Sequence, residues 1–175
     1  MTLTDLDLAA LIREVPDYPT PGIVFKDLTP LLADADALRE VIDRIVGGHP
    51  LGTVDKVVGI EARGFLLAAP VAYLLRAGLV LVRKPGKLPR AVHERSYDLE
   101  YGTNTLSVHQ DAVRAGERVL IVDDVLATGG TAAAAVHLVE QCGAVAVGLD
   151  VLLELTFLQG RSALPGLPVR AVLTT

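Results

Sequence analysis

The sequence predicts an α/β fold in which a central, mainly parallel sheet is flanked by helices. Short aliphatic runs that suit buried strands alternate along the chain with longer stretches of helical periodicity. Such alternation builds parallel sheets, because each crossover helix carries the chain back to the edge where the previous strand began. With 175 residues, 51% of them hydrophobic, the chain is long enough for one compact domain with a sizeable core. Only 4% of the residues are aromatic, so this core is expected to be aliphatic.

The N-terminal part predicts two helices joined by a structured loop. The first helix starts at Thr4 and ends near Pro16, and the second starts at Asp34 or Asp36, either of which can cap it. Between them, residues 17–30 are punctuated by prolines and a glycine around a short apolar insert. This composition predicts a loop rather than a helix or a strand.

The middle of the chain predicts a strand, a helix, a second strand and then a loop. Residues 57–60 and 79–82 are aliphatic runs typical of central strands. Residues 65–76 predict a helix that is kinked or locally loosened at Pro70. Residues 83–96 contain five lysines and arginines, two prolines and a glycine, with little periodicity. We expect a mobile loop there.

The C-terminal half predicts the rest of the sheet. Further strands are expected at residues 97–102, 105–108, 119–122, 145–153 and 169–173. A helix is expected to start at about Ala132, after a glycine pair. No repeat or interdomain linker interrupts this order, so we expect residues 1–175 to form a single domain.

Charge and composition exclude several classes of protein. A formal net charge of -5 argues against a general nucleic-acid binder, which is usually basic. The longest apolar run is too short to span a bilayer, so no membrane partner is expected. The first residues carry acids where a secretion signal carries lysine or arginine, and the only cysteine, Cys142, allows no internal disulfide. We therefore expect a cytoplasmic protein.

Residues 119–131 join a strand, an acidic pair and a loop of small residues. The strand at 119–122 is aliphatic and β-branched. The small side chains from Ala127 to Thr131 let backbone N–H groups close around phosphate oxygens, and the following helix adds the positive end of its dipole. Asp123 and Asp124 stand just before the loop, where carboxylates can accept hydrogen bonds from ribose hydroxyls or help to hold Mg²⁺. The segment therefore predicts a site for a phosphorylated sugar.

The order of residues in this segment is specific. No lysine follows the glycines, so it is not a Walker loop. It closely resembles the 5-phosphoribosyl-1-pyrophosphate (PRPP) motif of type I phosphoribosyltransferases. Five further motifs are similar, in order and spacing, to those of the adenine phosphoribosyltransferase family: PTPGIVFKDLTP at 19–30, VGIEARGF at 58–65, RKPGKLP at 83–89, YDLEYG at 97–102 and ELT at 154–156.

This resemblance extends over residues 17–160 and implies a fold and a reaction. The fold is the type I phosphoribosyltransferase fold, with an N-terminal hood at about 1–33 and a flexible lid loop at about 84–98. The reaction joins adenine and PRPP to give AMP and pyrophosphate, in a homodimer that uses Mg²⁺. The resemblance implies that PRPP and pyrophosphate supply most of the ligands of the metal ion, with Asp123 and Asp124 nearby.

The resemblance also implies roles for the groups that meet PRPP. The 5-phosphate loop comprises Ala127, Thr128, Gly129, Gly130 and Thr131. Arg63 is the expected guanidinium for pyrophosphate, although an ion pair with Glu61 is the alternative, and the Glu61–Ala62 peptide can be cis. Arg83, Lys84 and Lys87 match cations that reach pyrophosphate, some of them across a dimer interface. A solvated loop is the alternative for these three.

Catalysis and base recognition are assigned in the same way. Glu100 matches the family's catalytic glutamate, which manages a proton on the purine, and Tyr101 supports the closed lid; an exposed strand acid is the alternative for Glu100. The main chain of Val24 and Lys26 distinguishes adenine from hypoxanthine. Lys26 stands where arginine is common in the family, a change that a main-chain role tolerates. Phe25 and Leu155 enclose the ring, unless Phe25 is simply a core aromatic.

Two other functions remain open at this point. The first is a phosphoribosyltransferase for another base, such as hypoxanthine, guanine, xanthine or uracil. The second is a sensor of PRPP or purines that regulates transcription. Such a sensor would normally carry a helix-turn-helix domain and a basic face, whereas only about 16 residues precede the hood motif here and the chain is acidic.

Overall fold

The structure is a computed structural model that describes residues 3–98 and 103–175. The chain divides into two compact units, residues 1–44 and residues 45–175. A helix runs across the boundary between them. No helix within the described ranges is both long enough and apolar enough to cross a bilayer.

The first unit contains a capped helix, a β-hairpin and two further helices. Its elements are α1 (Asp5–Ala10), β1 (Arg13–Pro16), β2 (Val24–Asp27), α2 (Thr29–Ala33) and the start of α3 (Ala35–Gly47). Thr4 and Asp7 form a capping box, in which each side chain accepts a hydrogen bond from the other residue's backbone N–H. α1 therefore begins where the sequence predicts.

The chain between α1 and α3 is more ordered than the sequence predicts. We expected the first helix to end near Pro16 and a loop to follow, but β1 pairs antiparallel with β2, and α2 comes next. β1 and β2 lack the continuous aliphatic run that marks the central strands, and prolines normally mark loops. The pairing of β1 with β2 supplies the regularity that the local sequence lacks.

The second unit is built on a five-stranded sheet. The described strands of this unit are β3 (Lys56–Ile60), β4 (Gly78–Val82), β5 (Val92–Asp98), β6 (Thr103–His109), β7 (Arg118–Leu126), β8 (Val145–Glu154) and β9 (Val169–Thr174), and its full helices are α4 (Gly64–Leu75) and α5 (Gly130–Gln141). β5 and β6 form a separate two-stranded sheet. The main sheet has the order β4–β3–β7–β8–β9, and all its neighbouring strands are parallel. This confirms the predicted α/β class, and it places the carboxyl ends of β3, β4, β7 and β8 along one edge.

Both faces of this sheet are covered. Val58, Ile121 and Leu149 on one face belong to the same buried cluster as Ala135 and Leu138 of α5. Each fully buried leucine or valine contributes about 1.5–3 kcal/mol relative to an exposed one, and the small alanines allow α5 to approach closely. The core is aliphatic, as the composition predicts.

The other face of the sheet packs against α4. A Cβ at Gly59 of β3 would lie 2.8 Å from the Ala68 Cβ and 3.1 Å from the Phe65 ring. The glycine therefore sets how closely α4 approaches the sheet. α4 continues through Pro70 as one helix, and the kink or loosened turn expected at this residue stays a prediction.

The expected loop at 83–96 is partly a strand. β5 begins at Val92 and pairs antiparallel with β6 in continuous register from Val92↔His109 to Asp98↔Thr103. Hydroxyl groups of Ser96 and Thr105 lie 2.9 Å apart across the pair. The lysines and arginines before β5 hide its weak alternation, so the sequence alone does not reveal the strand.

Asp55 and Arg118 tie the start of β3 to the start of β7. Arg118 donates from Nε to Asp55 Oδ2 at 2.9 Å and from Nη2 to Oδ1 at 2.8 Å, and its backbone N–H also donates to Oδ2 at 2.8 Å. The side-chain bonds to Arg118, followed by the backbone bond, lower the pKa of Asp55 from 3.8 to about 2.

We predict that this pair stabilises the fold at neutral pH and is lost in acid. A carboxylate whose pKa is lower in the folded state stabilises it above the unfolded pKa of 3.8, and that stabilisation disappears as the pH falls through about 2. Urea unfolding at a series of pH values should therefore show Asp55→Asn less stable than the parent near pH 7, with the difference shrinking below pH 3.8.

Asp43→Asn removes a carboxylate from an exposed position of α3 and serves as the matched control. Equal effects of Asp55→Asn and Asp43→Asn on the free energy of unfolding at every pH would contradict the role of the pair.

Candidate active site

The loop between β7 and α5 has the geometry of an anion site. Gly129 has φ +86°, a left-handed conformation that favours glycine, and it turns the chain directly into α5. The first N–H groups of a helix have no partner within that helix. Gly130 and Thr131 carry such groups at the start of a 12-residue helix, where the dipole favours negative charge. The loop predicted from the sequence is thus positioned to bind a phosphate.

Asp123 and Asp124 lie in β7 itself, because the strand runs to Leu126 rather than ending at residue 122. Asp123 Oδ1 accepts a hydrogen bond from the Asp124 backbone N–H at 2.9 Å. Asp123 as a whole residue is partly exposed. Burial of its carboxyl group, followed by the negative charge of Asp124, raises its pKa well above 3.8. A hydroxyl donor or a cation at this position would relieve that repulsion.

Arg63 lies against the acidic pair. Its Nε is 2.5 Å from Asp124 Oδ2, and Asp124 is 8% exposed. Arg63 therefore forms an ion pair with Asp124, which places its guanidinium beside the two carboxylates. The Glu61–Ala62 peptide just before it is cis, as the family resemblance predicts.

Gly64 brings the ends of β3 and β7 together. A Cβ at this position would lie 2.7 Å from Asp123 Oδ1 and 3.0 Å from the Val122 carbonyl oxygen. Any side chain here would push α4 away from the acidic pair. Because β3 and β7 are parallel neighbours, the turn that carries Arg63 and the strand that carries the acids end at the same edge.

Glu61 organises the segment that carries Arg83, Lys84 and Lys87. Its Oε2 accepts hydrogen bonds from Arg83 Nε at 3.2 Å and from the Lys84 backbone N–H at 3.0 Å. The Lys84 N–H is the largest cause that lowers the pKa of Glu61. Arg83 also donates from Nη1 to the Lys87 carbonyl oxygen at 3.1 Å. These bonds brace the loop that carries the three cations, while the side chains of Lys84 and Lys87 are exposed to solvent.

β5 reaches the loop of residues 127–131 between β7 and α5, which we call the anion loop. Thr131 Oγ1 donates to the hydroxyl oxygen of Tyr97 at 3.1 Å, which links β5 to the first turn of α5. The sequence places Tyr97 in a family motif but gives no reason to single it out. Glu100 and Tyr101, the predicted catalytic and lid residues, lie outside the described residues.

The residues predicted to bind the base are divided between the two units. In residues 1–44, Phe25 packs edge-to-face on Tyr18 with ring centroids 5.2 Å apart, and Lys26 pairs with Glu14 across the β1–β2 hairpin. Val24 is 50% exposed. In residues 45–175, Leu155 follows β8, and its backbone N–H donates to the Leu126 carbonyl oxygen at 2.9 Å.

The carboxylates of Asp123 and Asp124 could supply some, but not all, of the ligands of a magnesium ion. Within residues 3–98 and 103–175, no three His, Cys, Asp or Glu side chains are grouped so that they could hold a metal ion. Asp123 and Asp124 supply carboxylate oxygens, the ligand type that Mg²⁺ prefers, but too few for its octahedral shell. A magnesium ion here would need most of its ligands from a bound substrate and water.

Comparisons with known proteins agree with this geometry. A sequence model of the phosphoribosyl transferase domain matches residues 27–162. The chain is 63% identical over 166 residues to an adenine phosphoribosyltransferase of Acidothermus cellulolyticus, covering 95% of this chain and 94% of that protein.

Solved structures give the same result. The crystal structure of adenine phosphoribosyltransferase from Thermoanaerobacter pseudethanolicus superposes with a TM-score of 0.95 at 46% identity, covering 98% of this chain and 100% of the other. The enzyme from Saccharomyces cerevisiae, solved with an imino-altritol bisphosphate and adenine, gives 0.88 at 38% identity, with 94% and 96% covered.

Proposed function

The chain belongs to the adenine phosphoribosyltransferase family, and from this premise we propose that it transfers the phosphoribosyl group of PRPP to adenine. A bond forms between N9 of the purine and the anomeric carbon, while the bond from that carbon to pyrophosphate breaks, so the products are AMP and pyrophosphate. One observation carries the proposal: an anion loop, an acidic pair and Arg63 meet at the carboxyl edge of a parallel sheet.

The phosphoribosyl group would lie along β7 and the start of α5. The loop from Ala127 to Thr131 would bind the 5-phosphate through its backbone N–H groups, with the hydroxyl of Thr128 as a further donor. Asp123 and Asp124 would accept hydrogen bonds from the ribose hydroxyls. Hydroxyl donors suit this pair, because they stabilise charge that the crowded carboxylates hold unfavourably.

The leaving group is a polyanion, and the chain meets it with local cations. Arg63 offers a planar fork of N–H donors, and Arg83, Lys84 and Lys87 follow the neighbouring strand. Because the chain as a whole is acidic, these groups act at short range and not through a general positive field. Mg²⁺, when bound with PRPP, would neutralise further charge on the pyrophosphate oxygens, with Asp123 and Asp124 as its nearest protein carboxylates.

Base recognition and proton transfer complete the proposal. Main-chain groups of Val24 and Lys26 would read the amino group and the adjacent ring nitrogen of adenine, a pattern that hypoxanthine reverses. Phe25 and Leu155 would enclose the ring. Glu100 would take the proton that leaves the imidazole ring as N9 bonds to the sugar, and Tyr101 would support the closed lid at about 84–98.

We also propose that the protein is a homodimer that buries an apolar surface on α4 and β4. Leu66 and Tyr73 of α4 are 55% and 82% exposed, and Leu79 and Leu81 of β4 are 43% and 39% exposed. Leu81 pairs with Gly59, where a Cβ would point towards α4. Leu79 lies two residues earlier in the same strand, so both leucines lie on the α4 side of the sheet. An apolar surface of this kind is typical of an interface.

The location that we propose is the cytoplasm. The only cysteine cannot form an internal disulfide, a composition typical of reducing compartments. Fractionation of cells that express the protein would test this, and recovery of the activity outside the cytoplasmic fraction would contradict it.

The function is tested by a base-competition assay with PRPP and Mg²⁺. We expect AMP from adenine, and a value of kcat/KM for hypoxanthine, guanine and xanthine lower by on the order of 10⁴-fold, because each presents a different pattern of donors and acceptors. Removal of Mg²⁺ with a chelator should abolish turnover. Preference for another base would overturn the assignment of adenine, and turnover that survives chelation would overturn the role of Mg²⁺.

Replacement of Glu100 tests the proposed proton acceptor. Glu100→Gln should lower kcat by about 10²–10⁴-fold with little change in the KM for PRPP, because it removes a proton acceptor and leaves phosphate binding intact. Glu140→Gln, at an exposed position near the end of α5, is the matched control and should leave kcat unchanged. A rise in the KM for PRPP that matches the loss of kcat would point instead to a binding role.

The proposed dimer surface can be tested by sedimentation velocity. Tyr73→Glu should convert the dimer to monomer at micromolar concentration, because it buries a charge in an apolar contact. Leu51→Glu introduces the same charge at a 62% exposed leucine in the turn before β3 and should leave the dimer intact. A dimer that persists in Tyr73→Glu would exclude this surface as the interface.

A further inference from the structure

The segment that follows β8 packs directly behind the anion loop. It forms two short 3₁₀ turns, Thr156–Leu158 and Gly160–Ala163. A Cβ at Gly160 would lie 2.3 Å from the Ala127 carbonyl oxygen, and a Cβ at Gly129 would lie 2.3 Å from the Gly160 carbonyl oxygen. No real Cβ approaches a backbone oxygen so closely. The two backbones are therefore in direct contact, with a glycine on each side.

The ion pair of Arg161 holds this segment in place. Arg161 donates from Nε to Glu154 Oε1 at 2.8 Å and from Nη2 to Oε2 at 2.6 Å, and from Nη1 to the Val169 carbonyl oxygen at 2.8 Å. Glu154 is the last residue of β8 and is 5% exposed. One guanidinium thus joins the end of β8 to the start of β9 and fixes the turn that carries Gly160.

The connection to the anion loop is continuous. Leu155, next to Glu154, donates its backbone N–H to the carbonyl oxygen of Leu126, the last residue of β7. The anion loop starts one residue later. Its position is therefore set on one side by α5 and on the other by the 154–163 segment, which also carries the leucine proposed to contact the base.

We propose that Gly160 and Arg161 are positioning residues for the 5-phosphate of the substrate. This rests on the proposed function, in which residues 127–131 bind that phosphate. Gly160 lets the 154–163 segment support the loop from behind, and Arg161 keeps Gly160 at that distance. Neither residue touches the phosphate. They act by holding the backbone N–H groups of the loop in the geometry that binds a phosphate monoester.

The proposal predicts a selective loss of PRPP binding. Gly160→Ala adds a methyl group that must displace the Ala127 carbonyl, and the loop with it. We expect the KM for PRPP to rise by about 10–100-fold, with the KM for adenine changed less than about threefold. The inhibition constant of AMP, which carries the same phosphate, should rise in parallel with the KM for PRPP.

Gly47→Ala is the matched control. Gly47 has open space where a Cβ would lie, so this variant should retain the parent's KM values. A thermal unfolding curve for each variant separates altered binding from loss of the fold. Arg161→Lys is the second variant, because it keeps the positive charge and loses the two-pronged bond to Glu154. It should raise the KM for PRPP severalfold, again with the KM for adenine changed less than about threefold.

The outcomes distinguish this proposal from the proposed function. If the parent protein makes no AMP, the proposed function fails. If the parent makes AMP, and Gly160→Ala and Arg161→Lys either retain its KM for PRPP or raise both KM values equally, the positioning role fails. Should Gly160→Ala not fold, the Arg161→Lys result decides.

Discussion

Close approach of backbones at the ends of three parallel strands is the constraint on which the site depends. The register of β3, β7 and β8 brings their carboxyl ends to one edge, but register alone leaves room for side chains between them. Glycines remove that room, since Gly64 abuts the acidic strand and Gly160 abuts the anion loop. A turn bearing an arginine, a strand bearing two carboxylates and a helix N-terminus can then share one small volume. In this way the packing of the sheet determines where the chemistry takes place.

The electrostatics of the site follow from that crowding. A chain with a net charge of -5 holds two adjacent carboxylates where burial raises the pKa of Asp123, and compensates them with Arg63. Such a cluster is poorly satisfied without a partner that brings hydrogen-bond donors or positive charge. Ribose hydroxyls supply such hydrogen-bond donors, and Mg²⁺ supplies positive charge. The pyrophosphate group of PRPP needs positive charge in turn, and Arg83, Lys84 and Lys87 after β4 provide it. Glu61 braces that cationic segment and so connects the two halves of the site.

The sequence predicts the elements that a continuous aliphatic run or a clear helical pattern marks locally. The parallel strands and α5 were predicted within a few residues, and the acidic pair with its loop was found because all its residues are contiguous. The β1–β2 hairpin and β5 were missed, since pairing with a distant strand, and not composition, makes them regular. Glu61, Tyr97 and Gly160 could not have been assigned their contacts, because each contact joins residues 20 or more positions apart in the chain. The sequence offers Arg63 as a nearby partner for Glu61, and only the positions of the strands show that Glu61 also bonds to Arg83.

A structure of the protein in complex with AMP would test the central claim most directly, because AMP carries the phosphate, the ribose hydroxyls and the base together. We predict that the phosphate oxygens lie about 3 Å from backbone nitrogens of residues 128–131, and that the ribose hydroxyls lie within the same distance of Asp123 and Asp124. A phosphate bound instead among Arg83, Lys84 and Lys87, with the loop before α5 unoccupied, would contradict it.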